Sequence, residues 1–121
     1  MKEVTILLAD DHRLIREGLK TVIEKNPMFR VVAEATDGRE AVKLCIKFQP
    51  QIIIMDVSMP GLNGIEATRA IVKENTGTRV IALSMHTDKQ FVSGMLKAGA
   101  YGYLQKDAES SEKLPAGCKP Y

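Results

Sequence analysis

Asp10, Asp11, Asp56, Ser84 and Lys106 are the residues of this chain best placed to do chemistry. Each stands at the end of a short run read as a strand: Val4–Ala9, Ile52–Met55, Val80–Leu83 and Tyr103–Gln105. Three acids, a hydroxyl and an ammonium would therefore share one crevice if those strands lie parallel, because ligands of open parallel sheets bind outside the carboxyl ends. Three carboxylates at close range repel one another and call for a divalent cation. Mg²⁺ suits the role, since it takes oxygen ligands in octahedral geometry and bridges carboxylates to phosphate. A carboxylate such as Asp56 can also act as a nucleophile and form an aspartyl phosphate. Transfer of this kind is mostly positioning and electrostatic stabilisation. Lys106 would bring a mobile point charge to one phosphoryl oxygen. The Ser84 hydroxyl would donate to a second. Backbone N–H groups of Val57 and Ser58 would serve a third, and the Ser58 carbonyl would complete the metal shell.

Each residue also has a simpler use. Asp11 could cap the helix that follows, and Asp10 could complement its dipole. Asp56 could be a loop acid, Ser84 a polar residue leaving a sheet, and Lys106-Asp107 an exposed turn. Only their shared place at successive strand ends favours the chemical reading.

The elements that must position them alternate along the chain. Val4–Ala9 and Ile52–Met55 are continuous apolar runs, as in strands buried on both faces. Shorter strands are predicted at Val31–Ala35, Val80–Leu83 and Tyr103–Gln105. Between them lie helical stripes: Leu14, Ile15, Leu19, Val22 and Ile23, then Ala41, Val42, Cys45 and Ile46. Two more follow, Ile65, Ala67, Ala70, Ile71 and Val72, then Phe91, Val92, Met95 and Leu96. Asn26-Pro27 and Pro50 end the first two helices, and Asp37-Gly38 marks a turn. Strands alternating with helices give an α/β fold, a doubly wound five-stranded parallel sheet with helices on both faces. The flavodoxin-like order 2-1-3-4-5 puts its switch point between the first and third strands, and Asp10, Asp11 and Asp56 meet there.

Composition narrows the function. At 121 residues the chain is one domain. Seventeen Lys and Arg against 15 Asp and Glu leave a formal charge of +2, which gives no footprint for nucleic acid. No stretch is long and apolar enough to span a membrane, and Val4–Ala9 is too short for a signal peptide. Cys45 and Cys118 fit no metal or redox motif, so a reducing, cytoplasmic setting is expected. After Lys106 a fifth helix should follow. Pro115, Gly117 and Pro120 oppose it, so residues 109–121 are read as an irregular tail, foreign to the domain at 1–108. Loss of that helix predicts exposed apolar surface on the side of the first helix, and a homodimer to cover it.

The stretches LLADDH (7–12), IIIMDVSMPGLNGIEA (52–67), VIALSMH (80–86) and GAYGYLQKDA (99–108) resemble the receiver domain of two-component response regulators. The likeness covers residues 3–108. It implies that Asp56 is the phosphoacceptor, and that Asp10, Asp11, Asp56 and the Ser58 carbonyl hold Mg²⁺. It implies that Ser84 is the switch hydroxyl, Tyr103 the switch aromatic and Lys106 the family's lysine. The ADDH opening, the DVSMPGLNG loop and Lys106-Asp107 are similar to the subfamily that carries a C-terminal helix-turn-helix domain, which this sequence does not include.

The implied partner is a sensor histidine kinase, whose phosphoryl group passes to Asp56. Ser84 then moves toward the new oxygens, and Tyr103 turns inward to fill the space. DNA would be reached only through the separate output domain. The chain would be a switch with slow self-dephosphorylation rather than an enzyme. Ser58 and His86 would flank the attacking water and set the phosphate lifetime, although His86 reads equally well as a loop-surface histidine. Two rivals are weaker. A hydrolase with an aspartate nucleophile needs a second Asp where Ser58 stands, and a flavin carrier needs a Ser/Thr- and Gly-rich loop where Asp10 and Asp11 stand.

Overall fold

A computed structural model describes residues 3–56, 59, 63–74, 77–84 and 89–105 of the chain. Nine elements alternate: β1 (Val4–Ala9), α1 (Arg13–Ile23), β2 (Phe29–Ala35), α2 (Gly38–Phe48), β3 (Ile52–Asp56), α3 (Gly64–Glu74), β4 (Arg79–Ser84), α4 (Lys89–Lys97) and β5 (Gly102–Gln105). All the strand pairs are parallel, in the order β2-β1-β3-β4-β5. That is the doubly wound arrangement expected from the alternation.

The sheet divides its side chains by parity. Leu7, Ala9, Ile53, Met55, Val80 and Ala82 face one way. They pack with Ala41 and Cys45 of α2, Ala67 and Ile71 of α3, and Met95 of α4. Ile6, Leu8, Ile52, Ile54, Ile81, Leu83 and Leu104 face the other way, with Leu19 and Ile23 of α1. All five residues of β3 are buried, which is why its sequence is an unbroken apolar run closed by a single acid. Burying each of those isoleucines is worth roughly 1.5–3 kcal/mol, so the central strand anchors both layers.

The expected exposed apolar surface on the α1 side is not found at Ile81, Leu83 and Leu104. These are only 5%, 2% and 5% exposed, and they share one cluster with Leu19 and Ile23. The tail at 109–121 and the absence of a fifth helix concern residues outside those described. Four helices occur among the described residues.

Local chemistry sets the helix ends. Asp37 is not in a free turn. It caps α2, and its carboxylate accepts the Glu40 N–H at 2.8 Å. Glu40 reaches back to the N–H of Thr36 at 2.8 Å, so the two acids tie the β2–α2 junction reciprocally. Asn63 plays the same part ahead of α3, accepting the Glu66 N–H at 2.9 Å. After α4 the chain reverses at Gly99, whose φ of 116° is left-handed backbone. A Cβ there would lie 2.9 Å from Val72 Cγ2, so glycine is required on two counts.

β2 begins two residues earlier than its apolar run, at Phe29. Val4 pairs with Phe29 and Thr5 with Arg30, and the register then shifts between Ile6 and Leu7. β2 is an edge strand and mostly half-buried, so its sequence carries Arg30 and Glu34 among the apolar residues.

Candidate functional site

The carboxyl ends of β1 and β3 carry the acids. Ala9 is the register partner of Met55, so Asp10 and Asp56, each next in its chain, come level. Both are almost fully buried, at 1% and 0% exposure. Ser84, the last residue of β4, is also buried. It lies one step beyond Leu83, which is the partner of Asp56. Its Oγ has no hydrogen-bond partner among the described residues. Buried polar atoms are normally bonded, so this hydroxyl is suited to a group that arrives from outside.

The β1–α1 junction is held from two sides. The Asp10 N–H donates to the Ala35 carbonyl at 3.0 Å. Its own carbonyl accepts Arg16 Nη1 at 2.7 Å, while Arg16 Nε donates to Glu34 Oε1 at 3.0 Å. Arg16 is a largely buried side chain of α1, and it clamps the Asp10 peptide to β2. These contacts fix the direction in which the Asp10 carboxylate leaves the strand.

Asp11 does not cap α1. His12 occupies the cap position, with extended backbone and no side-chain cap bond, and the first turn holds no acid. The simple capping reading of the acid pair therefore fails. The His12 side chain turns toward the acids instead. Its Nδ1 lies 2.9 Å from Asp10 Oδ1 and 3.2 Å from Asp11 Oδ1. The His12 N–H also donates to Asp10 Oδ1, at 2.8 Å.

Asp10, Asp11, His12 and Asp56 each offer one ligand atom, and these atoms all lie within 4.8 Å of one another. Carboxylate oxygens grouped in this way fit a hard divalent cation. The structure thus brings together the three acids singled out from the sequence and adds His12. The only signal for His12 was its place beside the acid pair in LLADDH, because its role depends on how the loop turns.

Tyr103 lies in β5 opposite Ala82, and its side chain is 37% exposed. Ser58, His86 and Lys106, with Val57, lie outside the described residues. No helix among the described residues is long and apolar enough to cross a membrane.

Comparison with known proteins gives a consistent result. Residues 6–116 match the family model of the response regulator receiver domain. The transcriptional regulatory protein DegU of Brevibacillus brevis is 41% identical over 114 residues, which is 94% of this chain and 48% of DegU. The response regulator UvrY of Escherichia coli K12 is 39% identical over 113 residues, 93% of this chain and 52% of UvrY. The chain thus spans about half the length of these curated relatives. Among solved structures, a LuxR-family two-component response regulator from Aurantimonas sp. SI85-9A1 superposes with a TM-score of 0.85 at 40% identity. It covers 92% of this chain and 79% of its own. The response regulator domain of Thermotoga maritima CheB gives 0.81 at 37% identity, covering 94% and 85%. With the five-stranded order and the acidic crevice already in place, these matches establish that the chain belongs to the receiver domain family of two-component response regulators.

Proposed function

We propose that this domain is a phosphorylation switch whose acceptor is Asp56. One observation carries the reading: the acids at the ends of β1 and β3 converge within 4.8 Å, in a chain that matches the receiver family over residues 6–116. The donor would be the phosphohistidine of a sensor histidine kinase. A carboxylate oxygen of Asp56 attacks phosphorus, the P–N bond to the imidazole breaks, and an acyl phosphate forms on Asp56.

Asp10, Asp11, Asp56 and the Ser58 carbonyl would hold Mg²⁺, and the donor set fits, since its described members are carboxylate oxygens grouped closely enough to share an ion. When bound, the ion neutralises the acids and the incoming phosphoryl charge. The remaining work falls to the protein. Arg16 holds the Asp10 peptide in place. The Ser84 hydroxyl donates to a phosphoryl oxygen, and Lys106 pairs with another. Movement of Ser84 opens space for Tyr103 to rotate inward, so the face of α4 and β5 changes its surface.

Ser58 and His86 would tune the slow hydrolysis of the acyl phosphate. Control of transcription would pass through a DNA-binding output domain outside this sequence, in keeping with the names of the relatives. A cytoplasmic setting and a homodimer complete the proposal.

Intact-mass measurement after acetyl phosphate treatment tests it. The wild-type chain should gain a single phosphoryl group with Mg²⁺ and none in EDTA, and Asp56→Asn should gain none. Retained Mg²⁺-dependent labelling of Asp56→Asn would refute the acceptor assignment.

A further inference from the structure

We propose that His12 is a direct nitrogen ligand for the divalent cation, and that it biases the site toward transition-metal ions such as Mn²⁺ over Mg²⁺. The inference rests on the cation site proposed above and adds a donor that an all-oxygen site lacks.

Geometry supports direct ligation. In an octahedral shell of radius about 2.1 Å, neighbouring ligand atoms are about 3.0 Å apart and opposite ones about 4.2 Å. His12 Nδ1 lies 2.9 Å and 3.2 Å from the oxygens of Asp10 and Asp11. One of its ring nitrogens also lies within 4.8 Å of the Asp56 ligand atom. The two Nδ1 contacts match neighbouring positions of one shell, and the Asp56 oxygen is near enough to join it by a small side-chain adjustment.

The simpler reading makes His12 a structural partner that only orients Asp10. Two features oppose it. The backbone N–H of His12 already holds Asp10 Oδ1 at 2.8 Å, so the imidazole contact to the same oxygen is redundant for orientation. The side chain is also 58% exposed, where a hydrogen bond contributes little and is readily exchanged. The Nδ1 contact to Asp10 is a hydrogen bond whose direction depends on the ring tautomer. The tautomer with its proton on Nε2 presents the Nδ1 lone pair to an ion in the same place.

The chemical consequence is selectivity. Imidazole suits Ni²⁺ and Zn²⁺ best, and Mn²⁺, at the weak end of that series, still accepts a nitrogen donor more readily than Mg²⁺, which prefers an all-oxygen shell that retains several waters. Pulsed electron paramagnetic resonance of the 121-residue chain loaded with Mn²⁺ tests the ligand directly and needs no variant. Coupling to a nitrogen nucleus at first-shell strength is expected in the wild type and should vanish in His12→Ala. Titration calorimetry with Mn²⁺ alone and Mg²⁺ alone should show the Mn²⁺/Mg²⁺ affinity ratio falling by about tenfold in His12→Ala. Mn²⁺ that binds without nitrogen coupling, or an unchanged ratio, overturns the role of His12 while leaving the acidic site intact. If neither ion binds the wild type, the cation site itself is refuted, and the role of His12 with it.

Discussion

Neutralising Asp56 should make the domain more stable when no divalent cation is available. The ligand atoms of Asp10, Asp11 and Asp56 lie within 4.8 Å of one another. Two unit charges at that distance repel by about 3.5 kcal/mol at an effective dielectric of about 20. Asp56→Asn removes two such pairs. The pair with Asp11 is discounted, because that side chain is a third exposed and screened by water. The new amide also brings an NH₂ group into a fully buried position, which costs roughly 1–3 kcal/mol if it stays unbonded. The net gain expected in EDTA is therefore about 2 kcal/mol. For 121 residues that raises the melting temperature by about 8 °C, since each kcal/mol corresponds to about 4 °C.

Mg²⁺ should close most or all of that gap. At 100 times its dissociation constant it adds about 2.7 kcal/mol to the wild type. The variant, lacking one acidic ligand, should gain less than about 1 kcal/mol at the same concentration. Thermal melts of both proteins, in EDTA and across a Mg²⁺ series, read all four quantities. A variant that melts below the wild type in EDTA would show that the three charges are not in mutual repulsion. Equal gains from Mg²⁺ would show that Asp56 does not hold the ion.

Three further outcomes are expected. Arg16→Ala removes a charge-assisted hydrogen bond to the Asp10 carbonyl at 2.7 Å and should cost roughly 1.5–3 kcal/mol in urea unfolding, with weaker Mg²⁺ binding alongside; an unchanged midpoint and affinity would remove Arg16 from the positioning of the loop. Gly99→Ala places a Cβ at φ 116° and 2.9 Å from Val72 Cγ2, and should cost about 1–3 kcal/mol; equal stability in urea would mean that the turn after α4 is not tightly set. Burial pushes the Cys45 thiol above its ordinary value of 9.0, so the folded state favours the neutral form. That contribution is complete below pH 9 and is lost as pH rises through the folded value, so stability should fall more steeply on the alkaline side in wild type than in Cys45→Ala; matching slopes would contradict it.

The parallel sheet was plain in the sequence because its central strands are buried on both faces and tolerate little but apolar residues. β3 reads as IIIM followed by one acid, and it is that strand. The edge was harder, since β2 mixes Arg30 and Glu34 with its apolar residues and starts at Phe29. The buried helix faces are narrower than the apolar stripes suggest. Leu14 is 83% exposed, and Ile46, Phe91 and Leu96 are also exposed, because a sheet covers only part of a helix's apolar arc. At the site, the strand-end acids followed from topology alone. The capping assignment of Asp11 and the orientation of His12 did not, because both depend on one residue of phase in the turn between β1 and α1. The burial of Ile81, Leu83 and Leu104 beside α1 is likewise not legible, since periodicity does not report which strand residues tertiary packing closes.

α4 is held differently from its neighbours. Among its described side chains Met95 alone is buried, and the sulfur of that residue meets the Thr68 hydroxyl at 3.4 Å. A thioether on an unbranched stem adapts to many shapes of pocket. The deepest anchor of the helix is therefore a supple one, while the backbone at Gly94 rests closely on Ile65 and Val92 is only half-buried. Repacking of the outer surface of α4 would cost least where that flexible side chain can follow it.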